Sequence, residues 1–282
     1  MLKPAKWRCY QREKSFQCVP KAGFSMKFDN NVGRLQRLMA ASIAGIGRRY
    51  AVLDALTLKS GDKIIDVGCG AGQLLGHLAK AVGETGEVFG LDPSADQLAQ
   101  ARASCREFTN ISFLENGADD TGLPDDCCDA ATSTQALEYI PDVDGALSEI
   151  QRVLRPGGSF VNVSILWDHF RFHGAEEGLN DKIHDAFRAH CSHQMLPMEL
   201  PGKLGRLGFD HIKDRSLAFM ITHRDQNSPA LYTETVMANF AISRGISEKD
   251  VADWRSQLAD AEKNGRFGFA SFPVLTTAYL SG

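Results

Sequence analysis

The chain has 282 residues, of which 43% are hydrophobic and 23% charged, and carries a net charge of −4 at pH 7. That composition suits a globular chain with a sizeable core, and the acidic balance excludes a bulk nucleic-acid binder, which carries a basic footprint. No apolar run reaches the ~20 residues of a membrane-spanning helix, no apolar h-region marks a signal peptide, and seven cysteines without framework spacing read as free thiols of a reducing, cytoplasmic compartment.

Residues 1–27 set seven Lys/Arg against one acid, Glu13, with Trp7 and Tyr10 interleaved. They read as an N-terminal arm, with organelle targeting or RNA contact left open. From Asn31 to Leu58 the pattern is helical, with Leu35, Leu38, Met39, Ile43 and Ile46 on one face and Gly45 and Gly47 as interruptions. Residues 1–57 therefore form an arm and a helical lead-in, and 58–282 the main domain.

An apolar strand over 63–67 then ends in Asp66 and runs directly into Gly68, Gly70 and Gly72, with a helix over 73–82 beyond. Glycines let the backbone approach a ligand where a Cβ would collide, and strand ends are where doubly wound sheets bind ligands. The spacing is G-x-G-x-G, not the G-x-G-x-x-G of dinucleotide-binding loops. A carboxylate two residues ahead of it repels a pyrophosphate and welcomes a cation such as the ammonium and sulfonium of S-adenosylmethionine. Cys69 within the loop reads as small buried filler rather than a nucleophile.

The next strand, 87–91, also ends in an acid. Asp92 lies twenty residues past Gly72, where such folds place a carboxylate on ribose hydroxyls. Pro93 and Ser94 open a helix over 94–107, and Ser94 with Gln97 has capping-box spacing. Strands follow at 111–115, 128–133 and 159–164, with a helix over 142–154 capped by Asp142 and carrying Val143, Leu147, Ile150 and Leu154 on one face. This alternation predicts an α/β fold, a doubly wound, Rossmann-like and mostly parallel sheet.

Four sequence blocks now stand in order: Asp66 to Gly72; Leu91-Asp92-Pro93-Ser94; Gly117 to Pro124, like G-D-A-x-x-L-P with one extra residue; and Asp129 through Gln135 to Ile140, followed by Leu154-Arg155-Pro156-Gly157-Gly158. Together they resemble the class I S-adenosylmethionine-dependent methyltransferases, nearest the ubiquinone/menaquinone C-methyltransferases and natural-product small-molecule enzymes. The resemblance covers about residues 60–164. It implies a seven-stranded sheet, with further strands near 211–222 and 267–280, one of them antiparallel; Pro273 suggests an edge or a bulge in the last. It implies that Gly68, Gly70 and Gly72 pass close to the methionine part and ribose of S-adenosylmethionine, and that Asp66 holds its amino-acid end. Asp92 would take the ribose hydroxyls, and Pro93, Gln97 and Leu98 would flank the adenine. Asp119 or Asp120 would bond the adenine amino group, and Gln135 would line the pocket near the sulfonium. Leu137, Glu138 and Tyr139 would face the acceptor, and the N-terminal segment is a candidate flap.

Insertions at about 166–206 and 227–264, rich in aromatic and Met side chains, lie where the resemblance places the methyl acceptor. They suggest a small apolar or aromatic acceptor, although for any one of these aromatics packing is the commoner role. His169 and His173, four apart, would share a helix face and serve as general base, with Tyr139 and Glu138 as alternatives. No third ligand accompanies the pair, so no metal is expected. The expectation is methyl transfer from S-adenosylmethionine to an O or C atom, with N left open, yielding S-adenosylhomocysteine. The acceptor is expected to be a small molecule, with no nucleic-acid or membrane partner and a homodimer left open. Alternatives are a non-catalytic or non-methylating S-adenosylmethionine-binding protein, or an RNA or protein methyltransferase.

Overall fold

The structure is a computed structural model that describes residues 38–225 and 228–282. The arm at 1–27, and Leu35 of the lead-in, lie outside the described residues. Five strands, β1 (Lys63–Val67), β2 (Glu87–Leu91), β3 (Ile111–Leu114), β4 (Cys128–Thr134) and β5 (Leu154–Ile165), fall within a residue or two of their expected spans, except that β5 starts earlier. They pair in parallel in the order β3-β2-β1-β4-β5. β10 (Pro273–Leu280) runs antiparallel between β5 and β7 (Phe209–Ser216), completing seven strands.

Both faces of the sheet are covered, so its strands read as near-continuous apolar runs. Ile64, Val88 and Val161 pack on one side against α1 (Ile43–Leu56), α2 (Leu75–Val82) and α3 (Ala95–Ser104). Ile65, Phe89 and Phe160 pack on the other against α4 (Val143–Val153) and α6 (Leu196–Arg206). Caps start these helices where the sequence places them: Ser94 accepts from Gln97 N at 3.4 Å and Asp142 from Gly145 N at 2.9 Å. No described helix is long and apolar enough to cross a membrane.

Four expectations are corrected. The lead-in helix breaks at Ser42, which caps α1 by accepting from Gly45 N at 3.2 Å. Gly45 does not interrupt the helix; a Cβ there would collide with the Met39 carbonyl, so its absence lets the preceding turn fold back. The core face of α1 is Val52 and Leu56, whereas Ile43 is 91% exposed and Ile46 is also at the surface. Finally, β10 is no edge strand. Pro273 is its first residue, a position where the missing N–H costs no ladder bond, and the register slips later, between Thr277 and Tyr279.

The expected strands at 211–222 and 267–280 each divide in two. β7 stops at Ser216 and β8 (Phe219–Ile221) follows; β9 (Gly268–Ser271) stops one residue before β10. β6 (Arg171–His173), β9 and β8 form a second sheet whose order, β6-β9-β8, repeats that of β5, β10 and β7, the strands each is joined to in the chain. The small sheet therefore prolongs half of the large one across a common break, tied by Leu166 N to Phe272 O at 3.1 Å and Leu217 N to Pro273 O at 2.8 Å. With α5 (Glu177–Phe187), α7 (Pro229–Ser243) and α8 (Glu248–Lys263) it encloses a core of its own around Phe172, Met237, Trp254 and Phe269. The aromatic residues of both insertions mostly pack this lid. α6, included in the insertion expected over 166–206, instead lies on the large sheet through Leu196, Leu200 and Leu204.

Two buried polar groups fix the lid. Glu234, fully buried, receives both Arg224 Nε and Nη2 at 2.8 Å and Arg255 Nε at 2.9 Å. Asn180 accepts from Trp254 Nε1 at 2.9 Å and donates to the Phe172 carbonyl at 2.9 Å, joining α5, α8 and β6. Replacing Asn180 with Ala leaves two buried groups unpaired, and is expected to cost about 2–4 kcal/mol. A fall in the urea midpoint at unchanged slope checks it; no shift would refute the role.

Candidate active site

Chain order reverses between β1 and β4: β2 follows on one side of β1 and β4 later pairs on the other. Doubly wound sheets open a crevice at such a point, beyond the carboxyl ends of the strands. The glycine loop folds over the end of β2 there, with Gly68 N and Cys69 N donating to Leu91 O at 2.8 and 2.9 Å. Gly68, Gly70 and Gly72 all have positive φ, at 75°, 52° and 77°, a conformation that glycine adopts without strain. Their surroundings differ. A Cβ on Gly68 would collide with Ala136 Cβ, and one on Gly72 would sit 3.0 Å from Ala101 Cβ of α3. One on Gly70 would meet only Gln97 Oε1, at 3.8 Å. The expectation of ligand approach fits Gly70; packing accounts for the other two.

Two carboxyls flank this loop. Asp66 is 3% exposed, and burial, then the charge of Asp92, pushes it up to about 7. Asp92 is also raised by burial, against the pull of two amide donors, Ser94 N to Oδ1 at 2.9 Å and Gly70 N to Oδ2 at 3.0 Å. Each carboxylate oxygen accepts more than one hydrogen bond, so Asp92 retains capacity for a diol. Burial, followed by these two carboxyls, raises the Cys69 thiol far above its ordinary value, so it is not a nucleophile at neutral pH.

Further along, Pro93 is exposed and Gln97 buried beside the loop. Leu98 does not flank the crevice: it is fully buried in the core with Cys69 and Ala101. Asp119 and Asp120 are both exposed in the loop after β3. Thr121 moors that loop by donating through N and Oγ1 to Glu149 Oε1 at 2.8 and 2.7 Å. The Arg152 guanidinium in turn holds Glu149 down to about 2.

At the end of β4, Gln135 has φ 53°, uncommon for a residue with a side chain and a pointer to function. Its N donates to Val163 O at 2.7 Å, and its Oε1 accepts from Arg48 Nη1 of α1. Burial lowers Arg48 to about 10, with the Glu138 carboxyl opposing that shift. Sequence reasoning missed Arg48, because nothing local separates it from Arg49, which donates to Ala40 O instead.

The histidine pair does not come together. His169 ends a 3-10 turn and His173 ends β6, and both are exposed. They share no helix face, because the chain there turns and then extends into the small sheet. Tyr139 is half-buried with its ring edge-on to His190 at 5.7 Å. Burial and then the Glu138 charge raise its phenol well above the usual value, so it stays protonated near neutral pH. Glu138 is fully buried, and desolvation pushes it up to about 7.

The residues present fit S-adenosylmethionine. Two desolvated acids at adjacent strand ends want a cation between them, Asp92 offers acceptors to hydroxyls, and Gly70 leaves the backbone between them open. The same pair would repel a pyrophosphate. Comparison with known proteins agrees. Residues 58–221, more than half of the chain, match the methyltransferase domain family, and the chain belongs to that family. It is 36% identical over 113 residues to a demethylmenaquinone methyltransferase of Staphylococcus saprophyticus, covering 40% of this chain and 48% of that protein. To a 2-phytyl-1,4-naphtoquinone methyltransferase of Synechococcus elongatus it is 40% identical over 102 residues, 35% of this chain and 44% of the other. The chain thus matches about half the length of these relatives. Its fold is shared with a phosphoethanolamine N-methyltransferase of Haemonchus contortus, at TM-score 0.59 and 16% identity over 91% of this chain and 58% of that one. A geranyl diphosphate C-methyltransferase of Streptomyces coelicolor shares it as well, at TM-score 0.51 and 17% identity over 83% of this chain and 76% of that one.

The raised Asp66 has a sign that can be checked. In the free protein it binds a proton between the ordinary carboxyl value and about 7, so its contribution to stability falls as pH rises across that window and levels above it. A bound cation favours the ionised form. S-adenosylmethionine binding near pH 6.5 is therefore expected to release about half a proton or more, and to tighten toward pH 8. Calorimetry in buffers of different ionisation enthalpy measures the release, and Asp66→Asn should abolish it.

Proposed function

We propose that this protein transfers the methyl group of S-adenosylmethionine to an O or C atom of a small, apolar or aromatic acceptor. The observation that carries the reading is the acidic pair Asp66 and Asp92 around the open backbone of Gly70. When bound, S-adenosylmethionine supplies the activated methyl on a built-in leaving group. The chain's own part is to bind, orient and exclude water. Asp66 holds the aminoacyl end, Asp92 the ribose hydroxyls, Gln97 and Pro93 the adenine side with Asp119 or Asp120, and Gln135, fixed by Arg48, the sulfonium end. The lid, whose α7 carries the half-buried Tyr232, forms the acceptor side together with the half-buried Tyr139 after β4. The quinone-type substrates for which the relatives are named support an aromatic acceptor. The described cysteines are free thiols, consistent with a cytoplasmic setting.

Calorimetric titration tests the reading. S-adenosylmethionine and S-adenosylhomocysteine are expected to bind at about micromolar Kd, and NADH not at all. Asp92→Ala should weaken both adenosyl ligands by about 10- to 100-fold, the loss of hydrogen bonds to a charged group. NADH binding in their absence would overturn the reading and make the loop a dinucleotide-binding one.

A further inference from the structure

Six buried polar side-chain atoms lack a hydrogen-bond partner among the described residues. One, Asp129 Oδ1, is in an ion pair with Arg155. Of the other five, Thr134 Oγ1 lies on the face of β4 that carries Ala130 and pairs with Val163, whereas Glu138 Oε1, Asn162 Oδ1, Trp167 Nε1 and His190 Nε2 belong to the turn after β4, the opposite face of β5 and the lid residues packed there. Unpaired buried polar groups are costly and rare in native structures. Four of them linked on one side of the sheet point to a ligand that brings its own polar atoms.

Glu138 lies at the centre. Its backbone carbonyl accepts from Ser192 N and His193 N at 2.9 and 3.0 Å, which pins the lid loop carrying His190 to it. Its Oε2 accepts from Ser164 Oγ at 3.0 Å, and that hydroxyl accepts from Asn162 Nδ2 at 3.0 Å. One carboxyl oxygen is thus committed to a relay from β5, while Oε1 closes no hydrogen bond, and the Glu138 and Ile165 backbones lie beside the carboxyl. Trp167 Nε1 lies against the same carboxyl without closing a hydrogen bond, and its ring meets His190 edge-on at 4.3 Å. The titratable groups that sense the Glu138 charge are Arg48 of α1, Tyr139 beside it and Cys191 of the lid loop.

Resting on the methyl-transfer reading, we propose that Glu138 is the catalytic base, and that the acceptor is a hydroxylated aromatic ring whose O–H is directed at Glu138 Oε1. The O–H bond breaks and the proton passes to Oε1. The oxygen's electron pair forms the bond to the methyl carbon as the carbon–sulfur bond breaks, its pair remaining on sulfur as a neutral thioether. Arg48 offsets the charge that develops on the acceptor oxygen. His190 is the weaker candidate. Its Nδ1 faces the Phe187 carbonyl at 2.7 Å, which fixes Nε2 as the lone pair, but burial lowers it to about 4, a poor proton acceptor. Glu138, raised to about 7, is matched to proton transfer near neutrality.

The test uses full-length protein, S-adenosylhomocysteine and two probes, 1-naphthol and naphthalene. S-adenosylhomocysteine should bind wild type, Glu138→Gln and Glu138→Leu within about two-fold of one another, showing that fold and adenosyl site survive; failure of wild type to bind it strikes the methyltransferase reading instead. With that ligand saturating, 1-naphthol should bind wild type about 10-fold more tightly than naphthalene, a preference for a matched hydroxyl that Glu138→Leu loses. With S-adenosylmethionine, Glu138→Gln should lower kcat by about 100-fold at nearly unchanged KM. The wild-type rise of kcat through about pH 7 should disappear with it. Equal binding of the two probes, absence of wild-type turnover of bound 1-naphthol, or a Gln variant with wild-type kcat and pH profile each overturns the proposal.

Discussion

Everything at the site follows from how closely the loops after β1 and β4 approach at the point where strand order reverses. Gly68 and Ala136 meet with no room for another carbon. Asp66, two residues ahead of that contact, lies out of water and senses the charge of Asp92. The same contact places Gln135, the next residue back from Ala136, in a left-handed conformation that carries its amide to Arg48. Desolvation of the acids makes the crevice selective for positive charge, because an uncompensated buried carboxylate is expensive.

The lid depends on a second constraint. β5, β7 and β10 run on past the large sheet as β6, β8 and β9, so the lid is made from the same strands as the sheet it continues. Its own core around Trp254 and its buried Glu234 pair let it hold shape without help from the adenosyl crevice. Because both sheets share three chain crossings, the loop bearing His190 and Cys191 can be pinned to Glu138, and a buried polar group is assembled from β5, the turn after β4 and the lid together.

Much of the adenosyl half was legible in the sequence. Asp66, the glycine triplet and Asp92 lie within one strand–loop–helix–strand unit, where period and turn chemistry act locally. Even so, Gly68 and Gly72 are explained by contacts with Ala136 and Ala101, residues on other elements, and Leu98 proved to be core. The acceptor half was read poorly. His169 and His173 have helical spacing, but their segment pairs with β9 through Arg171 to His173, and tertiary pairing overrides a local period.

By itself the sequence determined the class of fold and the charge of the ligand, since buried strand patterns, glycine turns and strand-end acids are set by residues near one another in the chain. Only the tertiary structure decided which distant polar groups are brought together and buried. Arg48, Glu138, Ser164, Trp167 and His190 span more than 140 positions of the chain, and their protonation is governed by burial and by neighbours that folding supplies. No spacing rule links residues whose proximity is created by the crossing of strands.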